Sequence, residues 1–134
     1  INMNLGLLYI EDKETERGLE FMDKAYLFIK LTRAYNNDFI TIARNYAATL
    51  SENSRVTKAI EVLKECEFAA EGCCSNNHAA LIYDLGAAYI LSGNYHKAVK
   101  KYNLAFTEYF ALGCYDELSA RKIAAAKQMQ YHNN

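Results

Sequence analysis

Proline and tryptophan are both absent from these 134 residues, and glycine occurs only six times. Without proline, no residue lacks a backbone donor and no ring blocks the preceding turn, so long helices can run uninterrupted. Net charge is nearly absent too, at −1. Neutralising a phosphate backbone needs a basic field, so a nucleic-acid partner is not expected. The one basic cluster, Lys97, Lys100 and Lys101, reads as a solvated helix face. No apolar run approaches the ~20 residues that a bilayer span requires, so no membrane partner is expected. Ile1 to Ile10 has neither a basic flank nor a small-residue cleavage site, and so does not read as a signal peptide. Cysteine is present at Cys66, Cys73, Cys74 and Cys114 but never in Cys-x-x-Cys or Cys/His ligand spacing. A zinc site is therefore not expected, nor is any other cofactor, and a reduced cytoplasmic chain fits best.

What the chain has in quantity is tyrosine, eleven in all, which fills interior space while keeping one polar tip. The densest pattern lies around Leu85-Gly86-Ala87-Ala88-Tyr89, followed by Gly93-Asn94-Tyr95 and then Ala98, Tyr102 and Ala105. It reads as two amphipathic helices and a tight turn. Small residues stand where the helices approach, and large ones fill the space between. Gly93 can take the left-handed conformation that ends the first helix, and Asn94 can cap the second. The order Leu-Gly-x-x-Tyr-x-x-x-Gly-x-Tyr-x-x-Ala-x-x-x-Tyr-x-x-Ala resembles the tetratricopeptide repeat signature.

That resemblance implies an all-α, right-handed superhelical solenoid of three helix hairpins and a C-terminal capping helix, in one domain over residues 1–134. The repeats fall at about 1–35, 36–74 and 75–113, with the cap at about 115–131. In the first repeat Leu5, Gly6 and Tyr9 stand in for Leu85, Gly86 and Tyr89, and Gly18, Met22 and Ala25 for Ala98, Tyr102 and Ala105. Its opening helix, Asn2 to about Asp12, is short against the later ones. With Ile1 as the first residue, the expectation is a piece of a longer chain. In the second repeat Phe39, Ile42, Ala43 and Tyr46 form one apolar stripe, and Ala59, Leu63 and Cys66 face it. Aligning Tyr46 with Tyr89 leaves a four-residue insertion at the second repeat's turn, because Tyr46 to Ala59 is 13 residues and Tyr89 to Ala98 is nine. The last helix, Tyr115 to about Tyr131, carries Arg121, Lys122, Lys127, Gln128 and Gln130, as suits a cover for an open flank. His132 to Asn134 reads as a frayed end. Repeats of about 40 residues with long second helices resemble those of bacterial regulators built on this fold.

No Ser/His/Asp set, phosphate-binding glycine loop or paired-carboxylate motif is present, so the chain is not expected to be an enzyme. His78 beside Cys73 and Cys74 is the only grouping with nucleophilic character, and reads more simply as helix-start residues. The resemblance places a peptide- or protein-binding groove on the inner face of the first helices. By signature position that face holds Asn4, Leu7 and Glu11 in the first repeat, Asn37, Ile40, Thr41 and Arg44 in the second, and Ala80, Tyr83, Asp84, Ala87 and Leu91 in the third. The family's carboxylate clamp on chaperone tails is only partly echoed, because Asp84 and Ala87 replace residues it would need. Arg44 would meet a carboxylate, Tyr83 would supply contact area, and Asn37 would hold a backbone amide. The opposing possibility is that Arg44 and Asp84 pair with each other. Two functions follow as expectations: a non-catalytic protein- or peptide-binding scaffold, serving as the sensor part of a bacterial regulator, or a self-assembly module. The second would form a homodimer through Leu5, Leu8 and Tyr9 of the incomplete first repeat.

Overall fold

The computed structural model describes residues 14–72 and 75–133. Within them the chain is all-α, with six helices and no strand: α1 Thr15–Thr32, α2 Asn37–Glu52, α3 Val56–Ala69, α4 Ser75–Leu91, α5 Tyr95–Ala111 and α6 Tyr115–Asn133. The expected helix from Asn2 to Asp12, with Asn4 and the residues of the N-terminal association surface, lies outside the described residues, as do Cys73 and Cys74.

Each helix touches the next in sequence, and α2 also touches α4, as α4 touches α6. The first helices of successive pairs thus form one row, with the second helices alongside. Position in this row sets burial. Because α4 meets α2, α3, α5 and α6, it is covered on most of its circumference. Leu81, Ile82, Leu85 and Ile90 are all fully buried there. In α2 the stripe of Phe39, Ala43, Tyr46, Ala47 and Leu50 turns inward, and Asn36 caps the helix by accepting from the Phe39 N–H at 3.2 Å. Asn94 does the same for α5, accepting from the Lys97 N–H at 3.3 Å. Gly86 lets α4 and α5 close on one another: a Cβ there would stand 2.8 Å from Cδ1 of the buried Tyr102 ring.

The turns correct the register assumed for the second repeat. At the end of α4 the Asn94 N–H donates to the Tyr89 carbonyl at 2.9 Å, with Gly93 left-handed at φ 82°. After α2 the same closure recurs: the Arg55 N–H donates to the Leu50 carbonyl at 2.8 Å, with Ser54 left-handed at φ 63°. After α5, Cys114 closes on Tyr109 across Gly113. All three are helix-ending motifs in which the residue after a left-handed one reaches back five positions. Leu50, not Tyr46, is therefore the counterpart of Tyr89. From Leu50 to Ala59 is nine residues, as from Tyr89 to Ala98. There is no insertion at that turn; the second and third pairs repeat at 39 residues throughout it. The misalignment came from a serine holding the slot that glycine marks elsewhere.

Two helix ends also differ from expectation. Helix α4 starts at Ser75 rather than near His78, and α6 continues to Asn133 instead of fraying at His132. Its last turn is held by Tyr95, whose hydroxyl donates to the His132 carbonyl at 2.8 Å.

Candidate binding groove

The row of α2, α4 and α6 presents one shared face, and its centre is an ion pair. Arg44 on α2 donates from Nε to Asp84 Oδ2 at 2.6 Å and from Nη2 to Oδ1 at 3.4 Å, a forked contact to α4. Both side chains remain about a quarter exposed (27% and 26%), so the pair sits at the surface of the groove and not in the core. On one side of it lies a cleft of about 380 Å³, lined by Asn45, Ala48 and Ser51 of α2 and Ala87 and Leu91 of α4. Alanine at both 48 and 87 leaves the backbones of the two helices within reach of anything lying in the cleft.

On the other side, α6 closes over α4. The Arg121 guanidinium lies 4.6 Å from the centre of the Tyr83 ring, and its Nε donates to Glu117 Oε1 at 2.8 Å. Stacking of a guanidinium on an aromatic ring in this setting is worth roughly 1 kcal/mol. Burial raises the Tyr83 hydroxyl above its ordinary pKa, and the nearby Arg121 charge opposes that shift. Burial by itself would lower the Arg121 value, but the Glu117 hydrogen bond and the neighbouring acids raise it, so the cation is firmly kept. Arg44, Asn76, Asn77, Ala80, Tyr109, Glu117 and Arg121 surround a second cavity of about 290 Å³. Read along the face, the charges alternate: Arg44, Asp84, Arg121, Glu117. Away from this face, between α4 and α5, His78 Nδ1 is 2.6 Å from Glu108 Oε1. Among the described residues, no three of His, Cys, Asp and Glu converge as metal ligands.

The residues expected in the groove differ in where they lie. Arg44, Asp84 and Ala87 do line it. Asn37 lies at its edge, where its side-chain oxygen accepts from Asn77 Nδ2 at 2.8 Å. Ile40 does not belong to it: the side chain is fully buried in the core, as is that of its counterpart Ala79, 39 residues on. Tyr83 is displaced from the role given to it, being only 7% exposed and lying beneath Arg121. Asn4 lies outside the described residues. Asn45, Ala48 and Ser51 were missed. Counting 39 residues back from Asp84 and Ala87 identifies Asn45 and Ala48, a count hidden by Ser54, whereas Ser51 corresponds to the buried Ile90 and is placed only by the structure. The Arg121–Glu117 pair is a local i,i+4 contact within α6, but the contact of Arg121 with Tyr83 spans two helices and carries no local signal.

Compared with family models, curated proteins and solved structures, the chain gives no match.

Proposed function

We propose that the chain is a non-catalytic tetratricopeptide-type scaffold, a right-handed superhelical array whose inner face takes an extended segment of a protein or peptide. The observation that carries this reading is the shared face of α2, α4 and α6, with an open cleft between Ala48 and Ala87 beside the Arg44–Asp84 pair. Small residues allow a peptide backbone to come close, and Asn45 can both donate to and accept from it. The groove groups stand on helices held by neighbours, so little ordering remains to be done when a ligand arrives. Arg44 and Asp84 are matched to each other, so a segment that binds here must offer both a carboxylate and a donor to replace the pair. Such a role suits the sensor part of a cytoplasmic bacterial regulator whose effector lies elsewhere in the protein. Self-assembly through residues 1–13 remains the alternative function, and its test is the effect of Leu8→Glu on solution mass.

The groove is tested with an array of blocked nonapeptides of mixed charge, read by fluorescence anisotropy. Ala48→Phe, at an exposed position, and Ala87→Phe, at one that also packs on the core, fill the cleft and are expected to weaken the best peptides at least tenfold, with melting unchanged for Ala48→Phe. Arg44→Ala should weaken peptides that carry an acidic residue more than neutral ones. If no peptide prefers the native chain to the filled variants, the groove is not a binding site and Arg44–Asp84 is purely a structural pair.

A further inference from the structure

Each second helix carries the next one on a repeated face. On α1 that face holds Tyr26 and Lys30, which donate to Glu65 of α3 at 3.0 and 2.6 Å. The position on α3 that corresponds to Tyr26 is Glu67, which accepts from Lys101 of α5 at 2.7 Å, and the one that corresponds to Lys30 is Glu71, just past the end of α3. On α5, 39 residues further on, the same positions are Phe106 and Phe110. Charged contacts that join interior helices thus give way to aromatic rings at the last second helix. With Leu118 and Lys122 of α6 these rings border an open cavity of about 380 Å³. Phe110 is 63% exposed, and its ring centre lies 5.6 Å from that of Tyr115, itself 58% exposed.

We propose that this α5/α6 face is a dimerisation surface that binds the same face of a second copy of the chain. The area is sufficient, narrowly. Taking ~200 Å² for each aromatic side chain, Phe110 and Tyr115 leave about 240 Å² uncovered, and Phe106 and Leu112 add on the order of 100 Å². Two copies would cover about 700 Å² of apolar surface, and at an apolar share of ~60% the whole interface reaches about 1,150 Å². That is the low end for a specific complex, so the dimer is a weak one. Charge on α6 makes the face self-complementary. Two antiparallel copies of α6 crossing near Ser119 bring each Lys122 to the level of the other copy's exposed Asp116, since both lie three residues from the crossing. A two-fold arrangement also closes on itself and does not grow.

Sedimentation equilibrium on the full chain, from micromolar to near-millimolar concentration, tests this. The expected result is a mass that rises from 15.2 kDa and levels at twice that value. Phe110→Glu and Tyr115→Glu should each move the midpoint at least tenfold higher with helicity unchanged, while Phe28→Glu on exposed α1 leaves it in place. A mass that stays at one chain throughout, continues past two, or resists both charged variants overturns the proposal. So does a dimer abolished by Phe28→Glu.

Discussion

Replacing Gly86 by alanine tests whether the contact between α4 and α5 is as tight as its geometry states. The added Cβ would lie 2.8 and 2.9 Å from Cδ1 and Cε1 of Tyr102 and 3.3 Å from the Ala98 carbonyl oxygen. Carbon atoms in good contact stand ~3.5 Å or more apart, so the overlap is about 0.7 Å. The ring has nowhere to turn. Tyr102 is 1% exposed, its centre is 5.1 Å from that of Tyr83, it stacks on Phe106 at 6.0 Å, and its hydroxyl donates to Gln128. The helices must therefore separate. Overpacking of this kind costs ~1–3 kcal/mol, and alanine in a helix interior returns about 1 kcal/mol relative to glycine. A net loss of about 1 kcal/mol is expected. The second pair of helices shows the matching solution: Ala47 and Leu63, both buried, hold the places of Gly86 and Tyr102. In the background of Tyr102→Leu, Gly86→Ala should then be neutral or stabilising, giving a coupling of about 1–2 kcal/mol in a double-mutant cycle. Urea unfolding followed by far-ultraviolet circular dichroism measures all four proteins. Additivity within ~0.3 kcal/mol, or a Gly86→Ala chain more stable than the parent, would refute the reasoning.

Ser54 holds a left-handed conformation that serine tolerates poorly, so Ser54→Gly should stabilise the chain by about 0.5–1 kcal/mol in the same unfolding assay. Burial pushes the Cys66 thiol up to about 12, from an ordinary value of 9.0. Its neutral form is thus favoured on folding, and stability is lost as pH rises from the ordinary value toward the folded one. Native alkylation at pH 8, mapped by mass spectrometry, should accordingly modify the partly exposed Cys114 and spare Cys66 until the chain is unfolded. At Glu65 burial would raise the pKa, but hydrogen bonds from Lys30 and Tyr26 outweigh it and hold the value below 4.5. That stabilisation is complete above the ordinary carboxylate value and disappears as pH falls through the lowered one. Glu65→Gln should therefore reduce the acid-side slope of stability against pH.

The local pattern of residues determined the helices, because an apolar stripe of period 3.6 can be buried in only one conformation. It also determined which small and large side chains face one another at Gly86 and Tyr102, since both lie within one signature. Cys66 as a buried thiol was legible for the same reason. The second repeat was less legible. Register there depended on a left-handed turn residue, and Ser54 adopts that conformation without the glycine that advertises it, so Asn45 and Ala48, the counterparts of Asp84 and Ala87, were not assigned to the groove. The tertiary structure alone decided what the groove contains. Arg44 and Asp84 are 40 residues apart, and Tyr83 and Arg121 are 38 apart on different helices. Their pairing depends on how two rods are rotated and spaced, a property of the packed row and not of any one segment. Helix periodicity says which residues face inward on each rod. Only the contact between rods says whether two charges that share a face meet each other or remain available to a ligand.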